Sequence, residues 1–555
     1  MLISASRDAI ESESSHFNGR VETFGASSER HLTGGEVKTV HVDFVHKENG
    51  RPSEEEDVEM AGTEDEAQEF STVTPIYPQE GYNDDTSDVE DDDPKEPADG
   101  EDEEDHEPPR LANLRAKHLA PASLFALPSQ YQQYDQDKII RAYFDGVNPA
   151  TPLFSEQDYE YFDMICRERP TVSHEWCAVF VMLALSLRND PKNFYQGDDE
   201  NFMRKACKYV DGMLKYRLSD EIGLQILLGA ALYFMTTPRL EQAALLHAKA
   251  VKLVYDLGLH KHSGDFALLY PVRLLWIAYI IDRDMSLLRG EPYLMQEHDI
   301  ASTVDEISYR HGGILTDINK SSHFEILKYR ARLATIQGKI VDLVYSVRAS
   351  KLSFDQRETV ADRLDEMLEE WVESIPEPYR GDTLSRFGHM HQRFFKQLRV
   401  TYCHCIFSIR QATLRNKEWV RRLLRFGEAR KGDDTDTPLL PSNWSGLVTA
   451  ARKCLYIVNK VDSRDMAFRW SCSHATQAAM TILAANNITL SEHDLHDSID
   501  KDQQRLHIAH GEVSDRLDED PTRSTEKLFN TCGELIIKAR ESVRQFNENK
   551  SMEES

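Results

Sequence analysis

No cysteine precedes Cys166 in this 555-residue chain. The eight cysteines present (Cys166, Cys177, Cys207, Cys403, Cys405, Cys454, Cys472 and Cys532) are scattered, which excludes the dense disulfide framework of a small secreted protein. Buried, reduced thiols are the expectation. The tightest spacing is Cys403-His404-Cys405. Residues two apart on a helix point in different directions and chelate a metal poorly. Long apolar runs are also missing: none approaches the roughly 20 residues that a membrane-crossing helix needs. The opening MLISASRDAIESESSHF has no basic stretch followed by an apolar core, so it does not read as a secretory signal. GxSxG, P-loop, GxGxxG and HExxH patterns are absent, and nothing points to an enzyme. Positive charge is scarce, with 65 Lys and Arg against 95 Asp and Glu.

That imbalance is local. Residues 54–107 hold 25 Asp and Glu against one Lys, a net −24 of the chain's −30, which leaves −6 for everything else. The remainder is close to neutral, a poor electrostatic footprint for nucleic acid. Residues 1–118 are rich in Ser, Glu, Asp, Gly and Pro without a sustained period, and are expected to be disordered. His41-Val42-Asp43-Phe44-Val45 could pair as a brief strand, but nothing nearby would pair with it. Within 54–107 the acidic run keeps Phe70, Ile76, Tyr77 and Tyr82. Charge prevents collapse and leaves such aromatics available to a partner's groove, the composition of an activation segment; a plain solvating linker is the alternative. Thr86-Ser87 lies among acidic residues that suit an acidophilic kinase.

From Leu119 the chain turns helical. Periodicity of 3.6 predicts helices over 131–144, 156–166, 174–188, 199–217, 221–234, 240–257, 272–288, 322–350, 354–374, 388–415, 444–464, 470–487 and 525–545. In 240–257, Ala243, Leu246, Ala250, Leu253, Val254 and Leu257 share a face, and Gly258 suits the position after the helix that needs positive φ. Strand signals are almost lacking. The fold expected is all-α, a large irregular multi-helix bundle over 119–547, with 548–555 as a tail. Helix pairs near 222–257 hint at solenoid stacking without a fixed period. Three connections look loose: 303–323, the polar 427–445, and the charged 494–525, expected to be a poorly ordered insertion.

The most informative stretch runs from Leu257 to Ile300. Pro271 suits a first helical turn. From Val272 to Leu288 the pattern is apolar nearly all round, with Arg273, Asp282, Arg283 and Asp284 set into it. A helix apolar on every face is surrounded by protein, so this should be the central helix, and Gly290 and Pro292 should end it. Arg273, Asp282 and Arg283 must be paired or their burial would cost several kcal/mol. Either they form a salt-bridge network that sets helix register, or they line an inducer-binding cavity.

The order Leu257-Gly258-Leu259-His260, Arg273, Trp276, Tyr279, Asp282-Arg283, Ser286, Gly290, Pro292 and Asp299-Ile300 resembles the regulatory middle homology domain of fungal transcription factors, also called the xylanolytic transcriptional activator regulatory domain. Two earlier stretches resemble it as well. Tyr143-Phe144, Val147-Asn148-Pro149 and Pro152-Leu153-Phe154 match its opening motif, and Leu224-Gln225-Ile226-Leu227-Leu228 its next helix. The resemblance is close over about 135–300 and looser beyond. It implies a nuclear regulator of gene expression whose helical domain tunes activity and senses a small-molecule inducer. Its acidic segment would recruit coactivators or the transcription machinery, with no membrane involved. Members of that family usually carry a Zn2Cys6 cluster. No six cysteines stand at that spacing here, so neither zinc nor direct DNA binding is implied. Two readings stay open: a regulator acting through a DNA-binding partner or as a homodimer, or a chain whose zinc-cluster exon lies outside this sequence. A helical scaffold or metabolite-binding protein derived from the same domain is the alternative function.

Other polar clusters read as bland. Arg415, Lys417, Arg421, Arg422, Arg425, Arg430 and Lys431 alternate with Trp419, Val420, Leu423, Leu424 and Phe426, as in a helix packed on one side and solvated on the other. Ser491-Glu492-His493-Asp494-Leu495-His496-Asp497 reads as a solvated loop. His260 and His262 follow a helix end, where imidazole suits the macrodipole.

Overall fold

The structure is a computed structural model that describes residues 136–168, 174–190, 197–216, 220–261, 269–308, 311–380, 383–412, 416–427, 438–520 and 522–553. The described residues all belong to one compact unit. The acidic segment, the brief strand at 41–45 and the kinase-type site at 86–87 lie outside the described residues.

The all-α expectation is borne out. Seventeen α-helices stand among the described residues. The first seven are α1 (Gln136–Ala142), α2 (Asp158–Glu168), α3 (His174–Arg188), α4 (Asp198–Tyr216), α5 (Glu221–Met235), α6 (Leu240–Asp256) and α7 (Leu269–Arg289). They enclose one apolar core that runs from Ile140 to Ala334. Helix α7 is the central helix expected of it: Leu274 to Ile281 are all buried, and Pro271 falls in its first turn. A stripe-less apolar helix of this kind has no face to give to water. Asp220 caps α5 by accepting from the Gly223 N–H at 2.7 Å.

Helices α8 (Ile326–Ile340), α9 (Phe354–Ser374) and α10 (Glu377–Arg380) come next, followed by the long α11 (His389–Ile409). The rest are α12 (Lys417–Leu424), α13 (Trp444–Val458), α14 (Met466–Ser471), α15 (Ser473–Ile488), α16 (Ile499–Glu519) and α17 (Arg523–Glu553). A second core packs α13, α15, α16 and α17 together, and a third packs α8 and α9. Helix α11 gives Phe394, Phe395 and Leu398 to the third core and Val400, Cys403 and Phe407 to the second. It is the strut that joins them.

Several boundaries depart from the periodicity. The run 322–350 is not one helix. Its first residues, His323–Phe324, pair antiparallel with Leu315–Thr316 in a minimal hairpin, and after Ile340 the backbone loosens into a π turn, Val341–Tyr345, and a 3-10 turn, Ala349–Lys351. The run 444–464 stops at Val458. The stretch 470–487 is two helices, because Asp465 caps a short one by accepting from the Phe468 N–H at 2.9 Å. The insertion expected over 494–525 holds a 21-residue helix, Ile499–Glu519. Its apolar stripe is thin, Leu506, Ala509 and Val513. Charge pairing does the rest: Asp502 is fully buried against Arg452 and Arg505, and Arg469 reaches Glu512 and Asp515. The last helix continues to Glu553, through residues read as a tail.

Candidate functional site

The opening motif folds around one side chain. A π turn, Tyr143–Val147, follows α1 and leaves Asn148 buried beneath it. Asn148 donates from Nδ2 to the Phe154 carbonyl at 2.8 Å, and its Oδ1 accepts from the Phe154 N–H at 3.2 Å and from the Tyr143 hydroxyl at 3.3 Å. An asparagine meets both needs of an extended backbone at once, as donor and acceptor. Pro149 follows it in a turn closed by Ala150 N–H to the Val147 carbonyl at 3.1 Å. The neighbouring Leu153 carbonyl accepts from Gln225 Nε2 of α5 at 2.9 Å and from Arg273 Nη2 of α7 at 3.2 Å. Three stretches far apart in sequence thus meet at Leu153–Phe154. Burial pushes the Tyr143 hydroxyl up, against the nearby Arg273 charge. Burial likewise raises the Glu221 carboxyl, and Arg273 again opposes it.

The second half of the signature folds around Asp282. Its carboxylate is 2 % exposed. It accepts from Arg283 Nη1 at 2.7 Å, from the Leu294 N–H at 3.0 Å and from the Met295 N–H at 2.9 Å, with His247 Nε2 of α6 at 3.3 Å. Arg283 donates its other arm to the Met295 carbonyl at 2.8 Å and lies over the rings of Tyr279 and Tyr293, 4.3 and 3.7 Å from their centroids. The pair therefore ties α6, α7 and the return at 293–295 into one buried knot. Gly290 makes that return feasible. It ends α7 at φ 71°, its N–H donating to the Ser286 carbonyl at 2.8 Å, and Gly258 ends α6 at φ 69°. A side chain rarely adopts this left-handed backbone. Exposed Pro292 follows the turn. Trp276 packs edge-on to Tyr279, whose hydroxyl meets Thr335 Oγ1 of α8 at 3.3 Å. His260 sits in a 3-10 turn, Leu259–Lys261, against Tyr255, and its carbonyl accepts from the Ala301 N–H at 2.8 Å.

Two members of this knot were not singled out from the sequence. His247 is buried where Leu246 was expected; Leu246 is half-buried. The signal was there, since 243, 247, 250 and 254 keep helical spacing, but a histidine between apolar positions reads as a surface residue. Gln225, inside an apolar helix, was legible only as part of the resemblance.

Two residues beyond Asp282, Asp284 faces another way. It accepts from Arg330 Nη2 at 3.2 Å and Gln337 Nε2 at 2.9 Å, both on α8. Burial raises its carboxyl and Arg330 partly opposes this. These three groups stand on the wall of a cavity of about 100 Å³ that also touches α3, α5, α11, α14 and α15, where the three cores meet. The inducer reading attached to Arg273, Asp282 and Arg283, but none of those residues lines this cavity.

The remaining clusters are quickly placed. Lys417–Leu424 is a helix with Trp419, Val420 and Leu423 buried, as its alternation implied; Arg415, Arg430 and Lys431 lie outside the described residues, as does His262. His493 and His496 are half-buried and bond the Asn486 and Leu490 carbonyls at 3.0 Å, so 491–497 is pinned rather than freely solvated. None of the eight cysteines is in a disulfide, and seven are buried. Among the described residues no three His, Cys, Asp or Glu side chains converge as metal ligands would, and no helix is long and apolar enough to cross a membrane.

Residues 140–373, which hold both halves of this knot, match the model of the fungal specific transcription factor domain. The chain is similar to an ABC-transporter-regulating transcription factor of Aspergillus fumigatus, at 26% identity over 420 residues, 72% of this chain and 46% of that protein. Its counterpart in Aspergillus oryzae is 26% identical over 419 residues, with the same shares covered. The Fusaridione A cluster transcription factor of Fusarium heterosporum is 22% identical over 294 residues, 49% of this chain and 53% of that one. The chain thus spans about half the length of these curated relatives. No solved structure matches it.

Proposed function

We propose that this chain regulates RNA polymerase II transcription in a fungal nucleus, with its helical domain controlling activity. The observation that carries this is the coincidence of the matched region, 140–373, with the knot of Asn148, Gln225, Arg273, Asp282 and Arg283. In this reading those residues, with Gly258, His260, Trp276, Tyr279, Gly290 and Pro292, hold the domain together and contact no ligand. The acidic segment 54–107 recruits coactivators or transcription machinery. Binding to promoters runs through a DNA-binding partner, or through a zinc cluster outside this sequence, because no Zn2Cys6 spacing occurs within it. The names of the two Aspergillus relatives support transporter genes as a target class.

Chromatin occupancy of the tagged endogenous protein, beside a DNA-binding assay on the purified chain, tests this. Occupancy at promoters without intrinsic binding is expected. Intrinsic binding by the purified chain would show that another surface reads DNA. No occupancy anywhere would refute the transcription reading and leave a metabolite-binding scaffold, which the central cavity favours.

A further inference from the structure

The cavity at the meeting of the three cores carries charge that is already spent. Arg330 pairs with Asp284 at 3.2 Å, and Arg393 is bidentate to buried Asp465 at 2.7 and 3.2 Å. Cys472, also on the wall, is held neutral, its thiol pushed up to about 12 by burial. His404 also stands on the wall. An ionic guest would have to break one of these pairs or remain uncompensated, and buried charge is costly in either case. A neutral guest meets no such penalty.

One polar group on the wall is uncommitted. The half-buried Gln397 amide of α11 lines both this cavity and a smaller one of about 10 Å³ beside it, and no hydrogen bond among the described residues engages it. One helical turn on, Thr401 donates to the Gln397 carbonyl at 3.0 Å and keeps its acceptor capacity. Much of the remaining wall is aliphatic, including Leu153, Leu232, Leu288 and Val400. A dry apolar cavity of about 150 Å³ holds benzene, six non-hydrogen atoms, so one of 100 Å³ takes roughly four.

We propose that this cavity binds a small uncharged molecule with one amide- or hydroxyl-like head, recognised by Gln397 and Thr401, and a short aliphatic body against the leucine wall. Such a guest would touch all three cores at once, so its occupancy would stabilise their packing as a unit. The site stands on the cavity's own chemistry. Its failure would leave the promoter reading untouched, and absence of promoter occupancy would leave the site untouched.

The test is ligand-observed saturation-transfer NMR on the purified full chain, with acetamide as neutral probe and acetate and ethylammonium as charged shapes of similar size. At between about 0.3 and 1.5 kcal/mol per non-hydrogen atom, a four-atom guest binds with a Kd between roughly 0.04 mM and 0.1 M. The amide should bind saturably and both ions at least about tenfold more weakly. Gln397→Met should weaken the amide about 2- to 10-fold, the range of one net hydrogen bond, without moving the melting temperature. Ala475→Leu, which fills the cavity from α15, should abolish binding while helical circular dichroism persists. If it unfolds instead, Gln397→Met decides. Ions that bind as well as the amide, a Gln397→Met chain that binds as tightly as the parent, or no saturable amide binding by about 0.5 M would each overturn the proposal.

Discussion

Asp282→Ala offers the most direct test of what holds the domain together. The substitution removes the only carboxylate bonded to Arg283 among the described residues, at 2.7 Å, and strips acceptors from the Leu294 and Met295 N–H groups. Breaking a buried pair by removing one partner costs about 3–5 kcal/mol, because the other charge stays buried. Each stranded amide adds about 1–3 kcal/mol at most, and these losses overlap rather than add. A net loss of about 4 kcal/mol is expected. At about 2.1 cal/mol/K per residue over roughly 400 residues, that lowers Tm by about 5 °C. Asp282→Asn separates the two parts: its carbonyl oxygen still accepts from the loop amides, so it should be milder than alanine while still exposing the unpaired Arg283 charge. Thermal melting followed by far-UV circular dichroism reads both. Because the pair is 2–3 % exposed, added salt should change neither result much. An Asp282→Ala chain that melts with the parent would refute the argument that this carboxylate anchors the 293–295 return.

Gly229→Ala should also destabilise, for a steric reason. A Cβ there would stand 2.4 Å from Val181 Cγ1 of α3, so helices α3 and α5 must part; a loss of about 1–3 kcal/mol is expected from overpacking, and an unchanged denaturation midpoint would show that the interface yields freely. Stability should fall in mild acid. Burial lowers His311, His493 and His510 below the usual imidazole value, so the unfolded chain binds more protons as pH drops through about 6.5. Their contribution is present above that pH and is lost as pH falls through the folded values. Urea midpoints should therefore rise between about pH 5 and 7, and replacing the three with Gln should flatten that rise; an identical slope in the triple variant would assign the effect elsewhere.

The sequence by itself determined the all-helical class, the central helix, its C-terminal end and that of α6. These are local: an apolar run without a stripe has nowhere to go but inside, and Gly258 and Gly290 carry backbone angles that their neighbours cannot. It also determined that charges in α7 would need partners. Which partners was decided only by tertiary structure. Asp282 finds His247, 35 positions earlier, and two loop amides 12 and 13 positions later, and no periodicity encodes such distances. The same holds for helix Ile499–Glu519, whose stripe is too thin to predict a helix. It forms because Asp502 and Glu512 meet arginines presented by α13 and α14. The cavity lies furthest beyond the sequence. Its wall draws Asp284 from one helix, Arg330 and Gln337 from a second and Gln397 from a third. Space between side chains is a property of packing, and packing exists only once all three cores are assembled.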